Sequence, residues 1–122
     1  MGTIAYFEGT DPLVLTRLAI KGIGTLPVSN GWDNHGKNIN HITKEDKISA
    51  VIGYLHKVIP LQDMAISTKD ILFTCNVYNI KVFLVAPEDL IDEAKKLVAD
   101  AGDNITIVSP DELCDKLLEC NG

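Results

Sequence analysis

A chain of 122 residues, 46% hydrophobic and 23% charged, holds enough apolar material for one packed core and is too short for two domains. Its net charge of −6 sits in the last third: residues 1–85 carry eight Lys/Arg against seven Asp/Glu, residues 86–122 three against ten. That acidic surface repels phosphate backbones, and no basic cluster interleaved with aromatics offsets it, so nucleic acid is not an expected partner.

Thr3-Ile-Ala-Tyr-Phe7 reads as a first strand and Glu8-Gly-Thr-Asp11 as the turn after it, with Asp11 as N-cap and Pro12 at the first helical position. The helix Leu13 to Lys21 is apolar nearly all round, so it should either lie deep or cover a partner's surface. Gly22 and Gly24 end it. Thr25-Leu-Pro-Val28 follows as a short strand at an edge, because Pro27 cannot donate to a ladder.

Ser29 to Ile42 is the longest polar stretch. Thr43 and Asp46 form a short-armed capping box, and the periodicity predicts a helix after it with Ile48, Val51, Ile52, Leu55 and Ile59 on one face, stopped by Pro60. Leu61 to Ile66 reads as a third strand. Ser67 or Thr68 caps a helix with Ile71, Leu72, Cys75 and Tyr78 inward, ending at Asn79.

Lys81-Val-Phe-Leu-Val-Ala86 is the kind of short apolar run that forms a strand buried on both faces. Pro87-Glu-Asp opens a helix with Leu90, Ile91, Ala94, Leu97, Val98 and Ala101 at helical spacing; Gly102 stops it, and Asn104-Ile-Thr-Ile-Val108 is the next strand. Strand, helix, strand within thirty residues is a βαβ unit. Ser109-Pro-Asp-Glu112 then caps a last helix packed by Leu113, Leu117 and Leu118.

The alternation predicts one α/β domain over residues 1–122, a three-layer flavodoxin-like or Rossmann-like sandwich around a mostly parallel sheet of about five strands. Seven aromatic residues (three Phe, three Tyr, one Trp) leave Ile, Leu and Val to fill the core. Cys75, Cys114 and Cys120 are odd in number and lack CxxC spacing, which points away from a disulfide framework or zinc site and toward a reducing cytoplasm. There is no basic segment with a cleavage site at the start and no apolar run approaching eighteen residues, so neither secretion nor a membrane span is expected.

In an open parallel sheet, ligands bind outside the carboxyl ends of the strands. That rule selects Gly9, Thr10 and Asp11, then Ser29, Asn30, Trp32, Asp33, Asn34, His35 and Lys37, and then Ser67 and Thr68 as candidate ligand-binding residues. The 29–42 loop stands out because connections of this kind usually run about two to six residues. It also holds the only Trp, and two of the three His.

Asp33, His35 and His41 are metal-ligand types, but their spacing matches no standard site, and no metal is expected. His35 is the candidate for proton transfer. Asn38 stands where the Asp-x-His-x-x-Gly motif of cobalamin-binding domains needs Gly. GxGxxG, GK[ST] and GxSxG are absent, which argues against dinucleotide, P-loop and hydrolase chemistry and leaves the cofactor open. Two readings follow: binding of a small polar or phosphorylated ligand through the 29–42 loop, or a non-catalytic regulatory module, homodimeric through the Leu13–Ile20 helix.

Overall fold

A computed structural model describes residues 2–33, 35–60 and 66–121, with the backbone alone for 118–121. The six strands are β1 (Thr3–Tyr6), β2 (Thr25–Ser29), β3 (Lys37–Asn38), β4 (Ile48–Tyr54), β5 (Lys81–Val85) and β6 (Ile105–Val108). They form one sheet in the order β3-β2-β1-β4-β5-β6, and every pairing is parallel. The helices are α1 (Pro12–Ile20), α2 (Thr68–Ile71), α3 (Phe73–Val77), α4 (Ile91–Leu97) and α5 (Leu113–Asn121).

The strand order explains the layers. A right-handed crossover that steps outward from β1 to β2 puts its helix on one face, and the steps from β4 to β5 to β6, in the opposite direction, put theirs on the other. The buried side chains divide accordingly. Val14 and Leu18 of α1 and Leu113 and Leu117 of α5 pack with Ile4, Ala50, Ile52, Phe83, Val85 and Val108. Ile71, Leu72 and Cys75 from the α2–α3 segment, with Ala94 of α4, pack with Ala5, Val51, Val82, Leu84 and Ile107 from the alternate strand positions. The three-layer Rossmann-like sandwich is present, with six strands in place of about five.

The largest departure from the sequence reading is β4. Residues 48–59 carry apolar side chains at helical spacing, yet Ile48–Tyr54 is the strand between β1 and β5. Ala50, Val51, Ile52 and Gly53 are all buried, so the segment is apolar on both faces, and a continuous apolar run satisfies a period of 3.6 as readily as 2. Its β-branched residues Ile48, Val51 and Ile52 fit a strand better. Gly53 adds a packing reason: a Cβ there would lie 2.7 Å from Phe7 Cδ2. The capping box is real, since the Thr43 N–H donates to Asp46 Oδ2 at 2.8 Å, but it caps only the 3-10 turn Lys44–Asp46. Lys47, in left-handed backbone at φ 53°, ends that turn.

Smaller corrections concern the ends of elements. The helix predicted after Ser67 is split into α2 and α3 at Leu72, and Tyr78 is 37% exposed rather than inward. The predicted strand at 61–66 falls outside the described residues except for Ile66, which is not in a strand, and Leu118 lies outside the described side chains. β2 is second from the edge, but β3 pairs only with Val28 and Ser29, so among the described residues Thr25–Pro27 has no strand partner on its outer side and the missing Pro27 N–H costs no ladder bond there. The stretch read as one long loop is a folded excursion. Ser29 belongs to β2, Lys37–Asn38 is β3, and Ile39–His41 is a 3-10 turn with Ile39 and Ile42 buried.

Candidate functional site

The strand order reverses between β1, whose crossover runs to β2, and β4, which the chain reaches only after leaving the far edge. The carboxyl ends of these two strands therefore flank the switch point, the usual place for a ligand in a doubly wound sheet. Phe7 to Thr10 leave β1 there, and the 3-10 turn Leu55–Val58 leaves β4.

One side chain ties these ends together. Lys57 Nζ donates to Glu8 Oε1 at 3.0 Å and lies 3.6 Å from Asp33 Oδ2, bridging the segments that follow β4, β1 and β2. The Lys57 and Asp33 side chains are only 14% and 13% exposed, so this pair is screened little by solvent. Asp33 Oδ2 is buried and has no hydrogen-bond partner among the described residues, a carboxylate oxygen with Coulombic support.

The segment from Asn30 to His35 is held by its own polar side chains. Asn30, buried, donates from Nδ2 to the Lys57 carbonyl at 2.8 Å and accepts the Trp32 N–H at 3.1 Å. Ser29 Oγ donates to the Asp33 carbonyl at 2.7 Å and accepts the Gly31 N–H at 3.0 Å. The His35 N–H donates to Asp33 Oδ1 at 3.2 Å. Gly36 is required where it stands: at φ 77°, a Cβ would lie 2.3 Å from the Pro27 carbonyl oxygen. Trp32 is 38% exposed on this scaffold.

The ring of His35 is also oriented. Nδ1 lies 3.2 Å from the Val28 carbonyl oxygen, which can only accept, so Nδ1 carries the proton and Nε2 is left as the basic nitrogen. Tyr6 packs edge-on against the ring, 5.3 Å between centroids at 70°.

Not every candidate from the sequence joins this cluster. Thr10 and Asp11 line a small crevice on the α1–α5 side of the switch point with Gly53, Tyr54, Val85 and Pro110; its free space is about 10 Å³, room for one water. Gly9 takes the turn at φ 86° with open space where a Cβ would stand. Lys37 is engaged elsewhere, donating to Asp46 Oδ2 at 2.8 Å, and that bond with the Thr43 N–H holds the Asp46 carboxyl below its ordinary range. Ser67 forms a capping box with Asp70, whose carboxyl is lowered in turn, and Thr68 Oγ1 donates to the Val58 carbonyl at 2.8 Å. Asn34 lies outside the described residues.

Asp33, His35 and His41 do not converge: among the described residues no group of three or more His, Cys, Asp or Glu could hold a metal ion. Cys75 is a core residue whose thiol is pushed up to about 12 by burial, which removes it as a nucleophile.

Lys57 and Tyr6 are the site residues that sequence reasoning missed. The helical spacing of apolar residues across 48–59 hides Lys57. Read as a strand, Ile48–Tyr54 would have placed Lys57 just beyond a carboxyl end, in the same class as Glu8 and Asn30. Comparison of the chain with protein-family models, with curated proteins and with solved structures returned no match in any of the three.

Proposed function

We propose that this domain binds a small polar ligand at the carboxyl edge of its sheet, where Lys57 joins the ends of β4, β1 and the Asn30–His35 segment. The observation that carries this reading is Asp33 Oδ2, a buried carboxylate oxygen beside a cation with no hydrogen bond from the described residues. Buried polar atoms are nearly always hydrogen-bonded, and those that are not call for a specific explanation. A ligand hydroxyl or amine would supply the missing donor.

The same geometry selects against a phosphorylated ligand. Glu8 and Asp33 outnumber Lys57 here. The first turn of α1 offers no free donor either: Pro12 lacks an N–H, the Leu13 N–H goes to Asp11 Oδ1 at 2.9 Å, and the Val14 N–H goes to the Asp11 carbonyl. The ligand class that fits is a neutral or cationic compound rich in hydroxyl or amino groups. Any proton transfer at this site falls to His35 through Nε2.

Trp32, the single tryptophan, reports on the site without a label. Titration with polyols, amino sugars and amines should give a saturable fluorescence change that Asp33→Asn and Lys57→Met abolish, and sugar phosphates should bind less well. A flat response to the whole panel overturns the reading.

A second reading rests on α1. Val14 and Leu18 face the core, but Leu13 and Ile20, seven positions apart on the helix, are 68% and 78% exposed. This helix does not lie deep, which is the condition under which it would serve as a homodimer contact in a regulatory module. Light scattering at high concentration tests it, and a strict monomer removes it. We assign the protein to the cytoplasm on its odd cysteine count, with Cys75 and Cys114 as free thiols. Among the described residues no helix is long and apolar enough to cross a membrane.

A further inference from the structure

The opposite edge of the sheet carries a second feature. Where the chain enters β4 and β5, Thr43, Lys44, Lys47 and Ile48 face Val77, Tyr78 and Ile80 across a groove of about 370 Å³. The seven residues of β4 separate it from the switch point by roughly 23 Å at about 3.3 Å per residue, so the two sites share no side chain. Its volume lies within the range of roughly 300–1,000 Å³ usual for small-molecule sites.

We propose that this groove binds a small organic anion with an apolar or aromatic body, its charge held by Lys44 and Lys47 and its body by Val77 and Tyr78. The two lysines are exposed, and among the described residues neither makes an ion pair. The acidic residues of the same turn are ionised but do not line the groove: Asp46 is bonded to Lys37 and the Thr43 N–H, and Glu45 is held by the Thr43 side chain and its own backbone N–H. Lys44 and Lys47 are the charged side chains among the residues that line it.

The other wall is apolar and uncovered. Val77 is 60% exposed and Tyr78 37%, at the end of α3 where Asn79 reverses the chain at φ 53°. Lys47 holds the facing position in left-handed backbone, where glycine would be the default, and so keeps a charged side chain at the mouth of the groove. Charge on one wall and aromatic surface on the other match an aromatic carboxylate or phosphate monoester.

Amide NMR titration of the full chain with benzoate, phenyl phosphate, inorganic phosphate and an acidic peptide tests this. Benzoate or phenyl phosphate should give saturable shifts centred on residues 43–48 and 77–80, with those of 29–35 unmoved. The double substitution Lys44→Gln/Lys47→Gln should raise the Kd at least about tenfold, with the rest of the spectrum retained, and inorganic phosphate should bind weaker than phenyl phosphate by a similar factor. Any of four results overturns the proposal: no saturable shift with either aromatic anion up to about 10 mM, unchanged affinity in the double variant, inorganic phosphate binding as tightly as phenyl phosphate, or binding of the acidic peptide alone.

Discussion

The two edges of the sheet use charge in opposite ways. At the carboxyl edge, Lys57 is mostly buried and committed to Glu8 and Asp33, so its ammonium group is part of what holds three strand ends together. At the amino edge, Lys44 and Lys47 are exposed, and neither makes an ion pair among the described residues. A buried pair has already lost its hydration, and removing one member leaves the other without compensation; an exposed lysine has nothing of the kind to lose. The carboxyl edge should therefore be rigid and sensitive to mutation, and the amino edge tolerant.

The largest effect expected is that of Lys57→Met. It keeps the apolar stem and removes the charge, leaving Asp33 in place with neither cation nor hydrogen bond at Oδ2. A loss of about 3 kcal/mol in urea unfolding is expected for a largely buried pair broken on one side. The double variant Lys57→Met/Asp33→Asn should recover part of that loss, since no uncompensated charge remains. If the single variant costs less than about 1 kcal/mol, the pair behaves as an exposed bridge and the contrast between the edges disappears.

Gly53→Ala comes next. The added methyl group would meet Phe7 at 2.7 Å from Cδ2 and 3.0 Å from Cβ, between two central strands where neither side can move far. About 2 kcal/mol of destabilisation is expected, and Gly53→Ala combined with Phe7→Leu should cost less than the two changes added separately. Simple additivity in that cycle would show that the two side chains do not compete for the same space.

The acid limb gives a third test. The Asp46 carboxyl is held below its ordinary range in the folded protein, chiefly by Lys37 and then by the Thr43 N–H. Its contribution is thus fully present above the unfolded carboxylate value and is lost as pH falls through the lower folded one. Asp46→Asn should lower stability at neutral pH and flatten the acid limb by the corresponding amount. An acid limb identical to that of the parent protein would remove Asp46 from the linkage.

The smallest effect is expected at the amino edge. Lys44→Gln and Lys47→Gln should each change stability by no more than about 0.5 kcal/mol. Paired with Lys57→Met, they apply one kind of change to the two ends of one strand, and comparable losses at both ends would erase the distinction.

Much of this architecture is legible in the residues. Capping at Asp11, at Ser67 and at Ser109, where the backbone N–H donates to the Glu112 carboxylate, depends on side chains bonding backbone groups two or three positions away, so short-range pattern is enough. The βαβ unit from Lys81 to Val108 is equally plain, because its strands are short, its helix has one apolar stripe, and Gly102 separates them. Asn30, Asp33 and His35 were accessible as candidates because they follow a strand in a polar segment. Lys57 was not, because its meaning depends on what precedes it.

The class of fold, the helix starts and the neighbourhood of one candidate site can be read from local propensity, capping and hydrophobic period. That Ile48–Tyr54 is a central strand cannot. A segment buried on both faces has no polar side to reveal its period, and it becomes a strand because β1 and β5 supply the hydrogen bonds of its two edges. Strand order is set by tertiary pairing too, and with it the switch point, the bridge from Lys57 to Glu8 and Asp33, and the separation of the two edges. These all depend on contacts between residues far apart along the chain, which no local pattern encodes.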